Sequence, residues 1–235
     1  MPKIVFDIET AGEDFEKMDQ TTQNLFRKKA EAKSNSPEEL ERELAKIKEE
    51  TVFSPLTAQI VAVGVLDVES EKGAVYYQNL KDTEEKEENG IKFKPLSEEE
   101  ILENFWRVAE SADTFISFNG RGFDAPFLML RSAVHRIRPS KNLLANRYLN
   151  AQPTNAKHID LMEQLNFYGA TWGKVNLHMA CRAFGIKSPK ADGVNGDDVT
   201  RLFGEGKYLE IAQYNSRDLS STAELYRVWK EYIAF

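Results

Sequence analysis

The chain has 235 residues, 41% hydrophobic and 29% charged, with a formal net charge of −7, a length and balance that suit a soluble α/β domain with a sizeable core. Its one cysteine, Cys181, excludes an internal disulfide framework and a cysteine-rich zinc site, and no uninterrupted apolar run approaches the roughly 18 residues of a membrane span. The N-terminus enters a strand without a basic region and apolar stretch, so a cytoplasmic location with no membrane association is the expectation. The acidic total argues against a generic nucleic-acid binder, but residues 121–190 hold eleven Lys/Arg against three Asp/Glu. A basic middle beside acidic motifs suits a polyanion held by its backbone.

Residues 3–9 read as a strand in which Ile4, Phe6 and Ile8 alternate with Val5, Asp7 and Glu9. Period two puts the two carboxylates on one face. Residues 11–52 break the sheet pattern. Ser36-Pro37-Glu38-Glu39 is a capping-box signature ahead of a helix over 37–50, and Met18, Leu25 and Phe26 mark a further helix over 18–33. Together they form a helical insertion at about 11–52, open between covering a site and serving as a contact surface. Strands follow at 59–66 and 73–79, paired as an antiparallel hairpin, and 81–95 reads as a solvated, charged loop. Ser97 and Glu100 open an amphipathic helix with Ile101, Leu102, Phe105 and Val108 on its apolar side. A strand over 114–118, a turn at 119–122 and a helix over 124–134 come next. Residues 136–156 read as loop and short helix, a short strand ends at Ile159, and helices over 175–184 and 208–232 flank a Gly/Asp-rich connection. The expected fold is α/β, a mixed sheet with helices packed around it, in one domain over 1–235.

Two acids in an apolar strand need partners, and several acids converging without enough bases repel each other. Divalent cations relieve that repulsion, which points to metal-dependent phosphodiester hydrolysis. Asp124 follows the turn Asn119-Gly120-Arg121-Gly122-Phe123 and either caps the next helix or joins the acidic site. Gly120 and Gly122 either admit a bulky ligand or serve turn geometry. Tyr214 and Asp218, four apart on a helix, share a face. Asp160 reads as a helix cap, His135, His158 and His178 as structural or surface residues, and Cys181 as a small buried hydrophobe. The connection Lys187-Ser188-Pro189-Lys190, with Gly193 and Gly196, is open between a phosphate contact and a solvated linker.

Three motifs in order, Phe6-Asp7-Ile8-Glu9-Thr10, Phe118-Asn119-Gly120-Arg121-Gly122-Phe123-Asp124 and Tyr214-Asn215-Ser216-Arg217-Asp218, resemble those of the DEDD superfamily of 3′–5′ exonucleases in its tyrosine variant. The similarity is to the proofreading exonuclease domain of family B DNA polymerases and its stand-alone prokaryotic relatives. It takes in Ile60–Leu66 and His158–Met162 and leaves out the 11–52 insertion. The resemblance implies a ribonuclease-H-like fold and two divalent cations, Mg²⁺ or Mn²⁺, with Asp7, Glu9, Asp124 and Asp218 as ligands. It implies Tyr214 as the residue that positions the attacking water, and Thr10, Asn119 and Phe123 on the substrate side. The implied reaction removes nucleoside 5′-monophosphates from the 3′ end of single-stranded DNA. The alternatives are a 3′–5′ exoribonuclease and a non-catalytic nucleic-acid-binding or assembly module. With no room for polymerase palm, fingers and thumb in 235 residues, an isolated nuclease is expected, with a protein partner or second copy able to meet the 11–52 insertion.

Overall fold

The computed structural model describes residues 2–173, 175–189 and 196–234. Lys174, Lys190 and Gly193, which figured in the basic stretch and the late connection, lie outside the described residues. The strands are β1 (Lys3–Gly12), β2 (Ala58–Asp67), β3 (Gly73–Gln78), β4 (Lys86–Glu88), β5 (Ile91–Leu96), β6 (Thr114–Ser117) and β7 (Lys157–Asp160). They form one sheet in the order β4-β5-β3-β2-β1-β6-β7. β1–β2, β2–β3 and β4–β5 pair antiparallel, whereas β1–β6, β3–β5 and β6–β7 pair parallel. This is the mixed α/β sheet of a ribonuclease-H-like architecture.

The α-helices are α1 (Gln20–Glu31), α2 (Pro37–Glu50), α3 (Glu98–Ser111), α4 (Asp124–Val134), α5 (Leu161–Leu165), α6 (Leu177–Ala183), α7 (Val199–Gly204) and α8 (Tyr208–Tyr232). Those on the two faces of the sheet enclose separate cores. On one, α3 and α4 pack Ile101, Phe105, Phe127 and Leu128 against Ile4, Phe6 and Ile8 of β1. On the other, α8 packs Ile211, Leu219, Ala223 and Trp229 over Val5 and Ala11. Period-two alternation therefore turns Asp7 and Glu9 toward α8. Cys181 is buried, and burial raises its thiol to about 11, in keeping with a packing role.

The structure departs from the sequence reading in four places. β1 runs through Gly12, past the break placed at residue 11. The 81–95 segment contains β4 and β5, the charged pattern Lys86-Glu87-Glu88 tolerated because β4 is an exposed edge strand. α7 interrupts the late connection. At α2 the capping is partial. Ser36 accepts from the Glu39 N–H (3.2 Å), but the Glu39 carboxylate reaches back to the Asn35 N–H (2.7 Å) rather than to Ser36. The Ser97/Glu100 box at α3 is complete. Among the described residues, no helix is long and apolar enough to cross a membrane.

Candidate active site

Asp7 of β1 pairs with Gly64 of β2, and that glycine decides how closely α8 approaches. A Cβ at Gly64 would collide with Asn215 Oδ1 and lie 2.5 Å from Leu219 Cδ1. With no side chain there, α8 settles on the sheet and brings Tyr214, Asn215 and Asp218 over β1. Asn215 Nδ2 donates to Asp7 Oδ2 (2.8 Å). The Tyr214 hydroxyl hydrogen-bonds Asp218 one helical turn on. Ligand oxygens of Asp7, Glu9 and Asp218 lie within 4.8 Å of one another.

Asp124 reaches the group from the other side of β1. It occupies the first position of α4, after Phe123, and the helix has no side-chain cap. Its Oδ1 accepts the Ile8 N–H (2.9 Å), across 116 residues of sequence. The carboxylate is therefore tied to β1 at Ile8 and lines the same cavity, although it is not among the three whose oxygens lie within 4.8 Å of one another.

The electrostatics follow from burying acids of β1, α4 and α8 around one cavity. Burial raises the Asp7 carboxyl well above its usual range, and Asp124, Asp218 and Glu9 add to this, while the Asn215 amide opposes it. Glu9 is raised likewise, by burial and then by Asp218 and Asp124, with Arg217 pulling the other way. Burial lifts Asp124 to about 7 against the lowering effect of the Ile8 N–H. For Tyr214, burial, followed by the charges of Asp218, Glu9 and Asp7, pushes the phenol far above its ordinary value. In the metal-free site, burial and the neighbouring carboxylates together hold the phenol in its protonated form. A neutral hydroxyl, able to donate or accept, is what the site presents.

The turn after β6 is held by Asp160. Its Oδ1 accepts from the N–H of Asn119 (2.9 Å) and Met162 (3.0 Å), and its Oδ2 from Arg121 N–H (3.0 Å). Asp160 thus caps α5, as read from sequence, and also clamps the loop that carries Asn119, whose φ is +64°. Gly120 does not serve a left-handed turn. A Cβ there would collide with the Ser117 hydroxyl, so the glycine admits Ser117 and the histidine beneath it. His158 is buried, with Nδ1 3.0 Å from the Leu143 carbonyl and Nε2 2.8 Å from Ser117 Oγ. Burial lowers its pKa to about 4, which keeps it neutral. A neutral ring donating from Nδ1 and accepting at Nε2 satisfies both bonds.

Asp7, Glu9, Asp124, Tyr214 and Asp218 all line one cavity of ≈ 620 Å³, and Asn119 and Phe123 line it too. Thr10 is not among the lining residues. It is buried, and its hydroxyl is spent on the Val52 carbonyl (3.0 Å) at the end of the helical segment. That segment reaches the site region through Phe53, whose ring meets Phe123 edge-on at 6.4 Å. The far wall comes from Asn166, Gly173, Val175, Asn176, Leu177 and His178. Val175 to His178 stand in the helix read over 175–184, which begins at Leu177, and His178 reads as structural or surface, so helical periodicity by itself gave none of them a place in the cavity. Asn215 was legible only as part of the third motif, since it is one residue from Tyr214 rather than three or four. Arg217 lies 5.5 Å from the Tyr214 ring centroid and is the cation that opposes the rise at Glu9.

The basic stretch is partly neutralised within the fold. Arg131 and His135 both bond the buried Glu98, which also accepts the Ile60 N–H. Arg121 and Arg147 share Glu163. A second cavity of ≈ 380 Å³ lies between α8 and the β5 side of the sheet, and none of the four acids lines it.

The donor set suits a hard divalent cation. It is all oxygen, half-buried or buried, and Asp7 and Glu9 hold raised proton affinities, first through burial and then through the neighbouring acids. Residues 52–233 match the model of a family described as predicted 3′–5′ exonucleases related to the exonuclease domain of PolB. The family B DNA polymerase of the hyperthermophilic archaeon Pyrobaculum calidifontis has a similar fold, with a TM-score of 0.57 at 13% identity over 97% of this chain. This chain spans 24% of that polymerase's length. Among curated proteins none matches the sequence.

Proposed function

The chain belongs to the family of predicted 3′–5′ exonucleases related to the exonuclease domain of PolB, and on that premise we propose that it removes nucleotides from the 3′ end of single-stranded DNA as nucleoside 5′-monophosphates. The observation that carries this reading is the convergence of Asp7, Glu9 and Asp218 within 4.8 Å, beside Asp124 and beneath the Tyr214 hydroxyl, in one cavity. Two divalent cations, Mg²⁺ or Mn²⁺, would be held there, one by Asp7, Glu9 and Asp218 and the other by Asp7 and Asp124. Bound cations would supply water activation and charge neutralisation at the attacked phosphate.

The chain's own groups set the geometry. Asn215 orients Asp7, and the Ile8 N–H orients Asp124. Tyr214 positions the attacking water through a hydroxyl that stays protonated. Asn119 and Phe123 stand where the terminal nucleotide would enter, and the backbone near Thr10 borders the 3′-hydroxyl. The single domain over 1–235, with its 11–52 segment as a helical insertion and a surface for a protein partner or second copy, and a cytoplasmic setting belong to the same proposal.

The experiment is digestion of matched 5′-labelled and 3′-labelled single-stranded DNA and RNA with Mg²⁺ or Mn²⁺. A descending ladder from 5′-labelled DNA supports the proposal. A ladder from RNA alone assigns an exoribonuclease instead. Binding with no cleavage in either metal assigns a binding module.

A further inference from the structure

Trp172 stands fully exposed, at 104% relative accessibility, with Phe167 at 53% close by in sequence. Water is a poor environment for such rings, and here they stand beside a cavity rather than scattered over the surface. The segment that carries them runs from Asn166 to Gly173, both of which line the acidic cavity. It leaves the cavity wall and returns to it.

The segment is a built turn. Phe167 and Tyr168 both hold positive φ (49° and 56°), an arrangement unfavourable for residues with side chains, followed by Gly169 at 101°. The Asn166 side chain accepts the Gly169 N–H (2.9 Å), and the Asn166 carbonyl accepts the Thr171 N–H (3.1 Å). The Tyr168 hydroxyl takes the Gln164 amide (2.8 Å), and its ring packs on Tyr148 at 4.9 Å. The Arg147 guanidinium sits over that ring, 5.8 Å from its centroid, with its side chain about half exposed. The strained turn leaves Phe167 and Trp172 exposed while Tyr168 packs against Tyr148 and Arg147 and anchors the segment.

We infer that this ridge, with Trp172 at its crest and Phe167, Tyr168 and Arg147 behind it, binds the unpaired bases of a single nucleic-acid strand whose 3′ end lies in the acidic cavity. Flat aromatic faces stack on any unpaired base, and Arg147, paired with Glu163 (2.6 Å), stiffens the ring it covers. A duplex offers its base faces to neither. The ridge continues the cavity wall, so a strand with its end at the carboxylates passes over it. The inference rests on the nuclease reading of the cavity, but its own evidence is the turn and its exposed rings.

Trp172 reports on a bound strand, because Trp106 and Trp229 are buried out of its reach and contribute a constant background. The full chain bearing Asp7→Ala, so that strands are not consumed, is titrated in Mn²⁺ with a short oligothymidylate and with an abasic phosphodiester of equal length. The expected result is a change of Trp172 emission with oligothymidylate only. In the same background, Trp172→Leu should weaken oligothymidylate binding roughly 10-fold, within the range for loss of one stacked base. Trp172→Phe should retain most of the affinity, and abasic affinity should be the same in all three. Equal loss for abasic and base-bearing strands, or unaltered oligothymidylate affinity in Trp172→Leu, overturns the stacking role. Emission that depends on protein concentration without oligonucleotide, and not on oligonucleotide, overturns it in favour of a protein contact. Cleavage by the unsubstituted chain is scored separately. Stacking without cleavage in Mg²⁺ or Mn²⁺ sinks the nuclease reading and keeps the ridge, whereas cleavage with no response at Trp172 does the reverse.

Discussion

Asp124→Asn should stabilise the metal-free protein at neutral pH and do nothing for it in acid. Burial raises the folded-state pKa of Asp124 from 3.8 to about 7. Between those values the folded chain holds a proton that the unfolded chain has released, so stability falls as pH rises through the window. At about 1.4 kcal/mol per pH unit, the full cost on reaching pH above 7 is about 4 kcal/mol. For a chain of this size that corresponds to roughly 10 °C in Tm. Asparagine keeps an oxygen that can accept the Ile8 N–H (2.9 Å in the parent) and cannot ionise. Thermal unfolding of both proteins in chelator, from about pH 4 to about pH 8, should show curves that meet in acid and diverge toward pH 8, with the variant higher. Asp7 and Glu9 are raised for the same reason, so the variant keeps a residual slope of the same sign. Added Mn²⁺ at the upper pH should close the gap by raising the parent more than the variant. Parallel curves would refute the claim that burial and neighbouring acids, rather than the hydrogen bond, set the energetics at Asp124.

Asp7→Ala should abolish cleavage in a labelled-strand assay while leaving Tm in chelator unchanged or higher, since it removes the acid nearest the centre of the repulsion. Near-normal turnover would remove Asp7 from the metal site. Tyr214→Phe should lower kcat by roughly 10²-fold with little change in the Mn²⁺ concentration needed. Asp218→Asn should impair both rate and metal requirement, and single-turnover rates across a Mn²⁺ titration separate the two. Gly64→Ala should destabilise the fold by about 1–3 kcal/mol through overpacking against Asn215 and Leu219. It should cost activity as well, because α8 carries Tyr214 and Asp218. An alanine variant with the parent's Tm would mean that α8 does not depend on that glycine for its approach.

Local periodicity was enough to place Asp7 and Glu9 on one face of β1 and Tyr214 and Asp218 on one face of α8, and to bound α2 and α8 to the residue. Those relations depend only on the geometry of a single element. The motif order was enough to indicate an acidic, metal-dependent site. Which elements meet was decided by contacts distant in sequence. Gly64 opposite Asp7 sets the seating of α8, and the Ile8 N–H draws Asp124 in from 116 residues away. Nothing local marked Asp160 as the clamp of the Asn119 turn, because its partners belong to another strand's loop. β4 was hidden in a charged segment, since an exposed edge strand needs backbone pairing rather than an apolar pattern. The interior β5 does alternate, with Ile91, Phe93 and Pro95 buried, a short pattern masked by its charged neighbours. The basic stretch was visible as composition, but only packing revealed that Glu98 and Glu163 take up Arg131, Arg121 and Arg147. A charge count carries no information about partners, because an ion pair is a matter of distance, and distance between remote residues exists only once the chain has folded.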